Sequence, residues 1–346
     1  MNELEQMLTD SAERLFGNEV TLEQSEAMER GEFPQSLWNA VDKSGLVHVL
    51  ASEEAGGANA SWTEALPVML AAGRTVTPLP FVDAATATWL LSRLGIEAPQ
   101  GLLALADLST APTASQDGDT WRLSAEVEVP WGRHAQHVLV RAANAWLLLP
   151  TEHASVREDA NIAGEPRDRL TFVDAVATAA STRQPLEGCD DPAALGALMR
   201  AIQITGVLER VLNQTVQYAT ERIQFGRPIG KFQAIQQQLA VLANEVVASR
   251  MAVASACAAL SGKDWAQQAM IAKIICGLAA GRAPAIAHQV HGAIGFTREH
   301  SLHYATRRLW SWRAEYGNEA QWAAKLGKMA IEHGGDTLWE RLTEAA

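Results

Sequence analysis

From about residue 192 onward, apolar side chains recur every three or four positions almost to the end of the chain. Leu195, Met199, Ile202, Leu208, Leu212, Thr215 and Ala219 mark one stripe, and Ile235, Leu239, Leu242 and Val246 mark the next. This is the period of amphipathic helices. Gly262 is placed to end the second helix. A third begins at about Trp265 with Met270, Ile274 and Leu278 inward, and Pro284 is expected to kink or interrupt it. A segment from Leu302 and a last helix from about Glu319 complete the set. Long, Ala-rich helices joined by short turns hide such stripes against one another, so an antiparallel bundle is predicted.

The rest of the chain has two other textures. Residues 1–98 read as helical, with Leu37, Val41 and Leu46 on or near one face of "FPQSLWNAVDKSGL" and a small-residue loop at "ASEEAGGANAS". Residues 99–185 read as strands: "TWRLSAEVEV" alternates apolar and polar, and "HVLVRA", "AWLLLP" and "RLTFVDAV" are short β-rich runs between turns. A helical domain, a β-barrel or sandwich and a bundle over 186–346 are therefore expected, an α+β arrangement without internal repeats.

A net charge of −12 argues against nucleic acid, whose phosphates demand a basic face. The start "MNELEQMLTD" lacks the basic and apolar regions of a secretory signal. The apolar stretch 268–290 is interrupted by Lys273, Arg282 and His288, which argues against a membrane span. Cys189, Cys257 and Cys276 are scattered and odd in number, which fits reduced thiols in a cytoplasmic protein and offers no metal set.

Functional interest concentrates in "ERIQFGRPIGKFQAIQQQLA", residues 221–240, a helix end, a tight turn and a helix start. An arginine at a helix C-terminus is favoured by the helix dipole alone. Its guanidinium fork also suits a pyrophosphate, which accepts two parallel charge-assisted hydrogen bonds. Phe225 offers an apolar wall beside Arg222, and Gln233 can donate and accept toward a heterocycle.

These residues resemble the flavin-contacting turn of the acyl-CoA dehydrogenases. "QVHGAIGFTREHSLHYATRR", residues 289–308, resembles the segment with which that family approaches the adenine and pyrophosphate side of FAD. "ASEEAGGANAS" resembles its Pro-Glu-Glu-x-Gly-Gly loop, with Ala51 and Ala55 as departures, and the helix–strand–helix order matches its three domains. The resemblance implies FAD as cofactor, with Arg222, Phe225, Gln233, Gln289 and Gly292 reaching a flavin bound in the neighbouring subunit. It also implies an acyl-CoA substrate, α,β-dehydrogenation of the thioester and reoxidation by an electron-transfer flavoprotein.

The resemblance has gaps. The family's Thr-Glu-Pro-Gly-type and Trp-Ile-Thr-type stretches, which sandwich the flavin ring, fall on "ALADLSTAPTA" and "VEVPWGRHAQHVLV". Ser109, Thr110, Thr113 and Trp131 are candidate flavin contacts there, and strand-end roles suit them equally. The family's usual catalytic glutamate falls on Tyr316, and its alternative position falls near Gly196 and Ala197. Glu315 is the adjacent carboxylate and the candidate base, provided that the backbone is locally shifted. Trp310, Trp312 and Trp322 flank the place of the family's acyl chain, where core packing explains them as well. Two readings follow: an active flavoenzyme with a displaced base, or a structural subunit that completes a partner's FAD site. The short chain and "HGAIGFTREHSLH" look like those of the family's heteromeric members acting on bulky acyl-CoAs, including steroid side chains, which favours a hetero-oligomer over a homo-oligomer. A stand-alone helical binding module would leave both glutamine motifs unexplained.

Overall fold

The structure is a computed structural model that describes residues 2–185, 192–262, 264–297 and 299–334; Cys189 lies outside them. Five helices come first: α1 (Glu3–Glu19), α2 (Leu22–Glu29), α3 (Gln35–Ser44), α4 (Trp62–Arg74) and α5 (Phe81–Leu94). Reciprocal side-chain caps start two of them, Thr21 with Gln24 on α2 and Ser61 with Glu64 on α4.

The strands form two four-stranded sheets. In one, β1 (Leu103–Leu105) lies parallel to β4 (His137–Arg141), followed by β5 (Trp146–Pro150) and β8 (Ala179–Ser181). The other runs β2 (Ser115–Asp117), β3 (Thr120–Pro130), β7 (Arg167–Val176) and β6 (Ala154–Arg157), all antiparallel. Every residue of β1 and β5 is buried, whereas β3 and β7 alternate between buried and more exposed positions.

The bundle comprises α6 (Ala193–Glu221), α7 (Gln233–Ala259), α8 (Trp265–His291), α9 (Leu302–Ala314) and α10 (Glu319–His333). Helix α6 joins it to the first five helices. A Cβ built on Gly206 would lie 2.9 Å from the Cα of Gly73 on α4, so these two backbones touch where only glycine fits. Two expectations for α8 are corrected. Pro284 does not interrupt it, and Leu278 is exposed rather than inward. The buried face of α8 includes Met270 and Lys273 but is otherwise rich in small residues, among them Ala269, Ala272, Cys276 and Ala280, that let the neighbouring helices approach closely. Cys257 and Cys276 are buried free thiols, pushed up by burial to about 12 and about 11.

Helices α7 and α8 are long and apolar enough by composition to cross a membrane. Both belong to the bundle, but only 28% of the most apolar window of α7 is buried. Val241, Val247 and Met251 are among its exposed apolar side chains.

Candidate functional site

The structure divides the candidate residues between the two ends of α6. At the C-terminal end Arg222 caps the helix, and its carbonyl accepts from Ile229 N–H at 2.8 Å. A two-residue turn then closes a small hairpin, β9 (Ile223–Gln224) against β10 (Arg227–Pro228). Both turn residues have positive φ, 51° at Phe225 and 78° at Gly226, the geometry that a tight hairpin demands. For phenylalanine this conformation is strained, and it leaves the ring 92% exposed. Gln233, the first residue of α7, is exposed, as are Gln289 and Gly292 at the end of α8.

Stacking of His291 on Tyr218 at 4.5 Å fixes the end of α8 beside the end of α6. The ring of His291 is buried, and its Nδ1 lies 2.8 Å from the carbonyl of Ala287. Gly292 has φ 65° and ψ −144°, and an added Cβ there would meet nothing within 4 Å. Its backbone is open to an approaching group. Among the described residues no carboxylate pairs with Arg222.

At the other end of the 29-residue α6, about 42 Å away at 1.5 Å per residue, lies a cavity of about 280 Å³. Asp107, Glu128, Pro130, Arg167, Ala314, Glu315 and Tyr316 line it. It therefore unites the two strand stretches that depart from the family pattern with the segment where the family's base would fall. Asp107 follows β1, and its backbone N–H donates to the Glu128 carbonyl at 2.8 Å. Burial, and then the Asp107 charge, raise the Glu128 carboxyl above its usual range. Trp131 is buried, with its indole centred 6.1 Å from the Phe33 ring, and does not line the cavity. Ser109 donates to the Asp107 carboxylate from both N–H and Oγ, and Thr110 Oγ1 donates to the Asp107 carbonyl.

Glu315 is enclosed by cations. Arg167 donates to it through Nε and Nη2, each at 3.0 Å. Arg200 adds Nε at 2.6 Å, and Asn161 adds Nδ2 at 3.0 Å. Arg200 also forms a bidentate pair with Asp83 at 2.9 Å, so Glu315 ties α9 to α5, α6 and the sheet. Burial alone would raise its carboxyl; Arg167 and Arg200 overcome that and hold it at about 2. A carboxylate this stable as an anion is a weak proton acceptor.

Beside it Tyr316 adopts φ 53°, and its ring packs on Gly196 so closely that a Cβ there would lie 2.3 Å from it. Its hydroxyl is buried without a partner. Lys273 supports this turn, donating to the carbonyls of Arg313 at 2.7 Å and Gly317 at 2.8 Å, and burial lowers its pKa to about 8. Trp322 donates to the Tyr316 carbonyl at 2.8 Å. Trp312 donates to Glu165, while Trp310 is partly exposed.

Sequence reasoning missed Asp83, Glu128, Arg167 and Arg200. The one available signal was Arg200, the only charge between Ala193 and Leu208 in an otherwise apolar helical run.

Residues 2–100 match the model of the acyl-CoA dehydrogenase N-terminal domain, and residues 193–321 match that of the C-terminal domain. The chain is 32% identical over 285 residues to acyl-CoA dehydrogenase IpdE2 of Mycobacterium tuberculosis, covering 82% of each chain. Two solved structures share its fold. The Tcur3481–Tcur3483 steroid ACAD G363A variant superposes with TM-score 0.84 at 24% identity over 95% of this chain and 98% of that one. The ChsE4–ChsE5 complex from Mycobacterium tuberculosis gives 0.85 at 23% over 96% and 98%.

The chain belongs to the acyl-CoA dehydrogenase family, FAD-dependent oxidoreductases acting on a CH–CH bond. The exposed corner fits FAD, with an arginine lacking a carboxylate partner, an apolar ring and an open glycine backbone. The cavity does not fit it: three carboxylates line a small space that Tyr316 bounds, and its one lining cation, Arg167, is already paired with Glu165 and Glu315.

Proposed function

We propose that this chain is one subunit of a heteromeric acyl-CoA dehydrogenase and that it completes an FAD site belonging to its partner. The observation that carries this reading is the cavity of Asp107, Glu128, Glu315 and Tyr316, an acidic, obstructed version of a flavin and acyl site. The corner at the opposite end of α6 keeps its ligand-facing groups exposed. A chain that offers contacts outward while its own cavity is obstructed acts beside a partner with an open one.

In this assembly Arg222 would hold pyrophosphate oxygens, Phe225 would shield the flavin from water, Gln233 would orient its polar edge, and Gln289 and the backbone of Gly292 would meet the adenine and pyrophosphate side. FAD supplies the two-electron oxidation of the acyl Cα–Cβ bond. The partner supplies the base, and an electron-transfer flavoprotein accepts the electrons. The exposed apolar residues of α7 suit the subunit interface. The names of the two solved structures, one a steroid enzyme and one a two-component complex, support a bulky CoA thioester as substrate and a hetero-oligomer. The three units are taken as residues 1–98, 99–185 and 186–346, in a cytoplasmic enzyme.

The competing reading makes Glu315 the base of an active site in this chain. Its place in the cavity favours that role, and its two arginine partners oppose it. Flavin content decides between them. Co-expressed with its partner, the chain should give a complex with fewer flavins than chains, and alone it should be colourless. A homotetramer carrying one flavin per chain and oxidising acyl-CoA unaided would overturn the proposal.

A further inference from the structure

Buried charges within the protein balance at one place and fail to balance at the next. Asp83, Glu165 and Glu315 pair with Arg167, Arg200 and Arg308, three carboxylates against three guanidinium groups. Arg210 is a fourth cation nearby, and among the described residues no carboxylate pairs with it. The acid next to it in sequence, Glu209, is turned to Arg74 and Arg250.

The Arg210 side chain makes one hydrogen bond, from Nη1 to the carbonyl of Arg74 at the end of α4, at 3.1 Å. Its Nε is buried with no acceptor. On α9 the side chain of Arg308 is 1% exposed. Its Nε donates to Glu165 at 3.1 Å, while its Nη2 is also buried with no acceptor. Burial, and then the charge of Arg308, depress the pKa of Arg210. One helical turn along α6, Gln214 donates through Nε2 to Ser301 Oγ at 3.0 Å, and its Oε1 is buried with no donor.

A buried cation without a counter-charge costs several kcal/mol, and each orphaned N–H adds to that cost. Arg210 is such a cation, half-buried, and Arg308, although paired with Glu165, adds a second guanidinium with an orphaned buried N–H; together they offer donors to a planar or tetrahedral oxyanion. The free Gln214 oxygen complements an oxyanion that carries its own proton, as hydrogen phosphate does.

We propose that Arg210 and Arg308 form an oxyanion-binding site, with phosphate as the favoured ligand group, where the end of α4 meets the facing sides of α6 and α9. It is separate from the flavin corner, because Arg210 lies three turns before Arg222, about 18 Å along the helix. The inference does not depend on the hetero-oligomer reading. An anion here would hold α4, α6 and α9 in register and so couple ligand binding to the rigidity of the helix that carries both the corner and the cavity.

The test uses the full-length protein as purified, with its partner subunit where one co-purifies. Its thermal midpoint is followed during titration with inorganic phosphate, with acetate and with chloride at equal ionic strength. Phosphate should raise the midpoint saturably and more than acetate or chloride. In Arg210→Met the apparent Kd for phosphate should rise at least tenfold, and the variant should be more stable than the wild type in chloride, because an uncompensated buried charge is gone. Arg222→Ala should keep the phosphate response, which separates this site from the corner. Methyl phosphate identifies the source: equal binding assigns an esterified phosphate, and loss of binding assigns the free ion. Coincident phosphate and chloride curves in the wild type would overturn the proposal. So would a phosphate response that survives Arg210→Met, or an Arg210→Met variant equally destabilised in both salts.

Discussion

Replacing Glu315 by glutamine separates its two possible roles, because they predict opposite losses. The arginines hold its carboxyl at about 2 against an ordinary 4.5. At about 1.4 kcal/mol for each tenfold change in proton affinity, the folded state favours the ionised carboxylate by on the order of 3 kcal/mol. Glu315→Gln removes that charge while Arg167 and Arg200 stay buried around it. Breaking a buried pair from one side costs about 3–5 kcal/mol, so two independent routes give the same size of effect. Urea unfolding of the complex at pH 7 should therefore show the variant less stable by roughly 3 kcal/mol.

The pH dependence fixes the sign. A group whose pKa is lower in the folded state stabilises fully above its unfolded value, here about 4.5, and loses that contribution as the pH falls toward 2. The gap between wild type and variant should be constant from pH 8 to about pH 5 and should close below about pH 4.5. A base role predicts instead that α-proton exchange on a bound acyl-CoA is abolished with flavin content and stability intact. A variant within about 0.5 kcal/mol of the wild type at pH 7 would refute the charge-clamp argument.

Other outcomes follow from the same geometry. Arg222→Ala should lower FAD affinity of the complete assembly tenfold or more, since hydrogen bonds to a charged group are worth about 1.5–3 kcal/mol; unchanged flavin retention by equilibrium dialysis would reduce Arg222 to a helix-end cation. Tyr316→Phe should stabilise the chain by about 1 kcal/mol in thermal unfolding, because it removes a buried hydroxyl that has no partner. Lys273→Met should loosen the turn from Arg313 to Gly317, read as faster amide exchange there, because two carbonyls lose their donor.

The sequence showed what depends on near neighbours along the chain. The helical periods of α6 and α7 were legible because a stripe repeats every turn. The corner was legible because Phe-Gly between an arginine and a helix start leaves the backbone few conformations. The cavity and the ion-pair cluster behind it were not legible, and the reason is where their charges come from. Asp83 lies on α5, Glu128 on β3, Arg167 on β7, Arg200 on α6 and Glu315 just past α9. No local pattern announces that five such residues will converge. Leu278 failed for a related reason: the small side chains of α8 pack inward, and a helix side that meets no neighbour within this chain can be apolar. That outward face and the outward corner point the same way. The features that period and spacing could not explain within one chain are those that make sense against a second chain, whereas Asp83, Arg167 and Arg200, which they could not foresee, are paired inside this one.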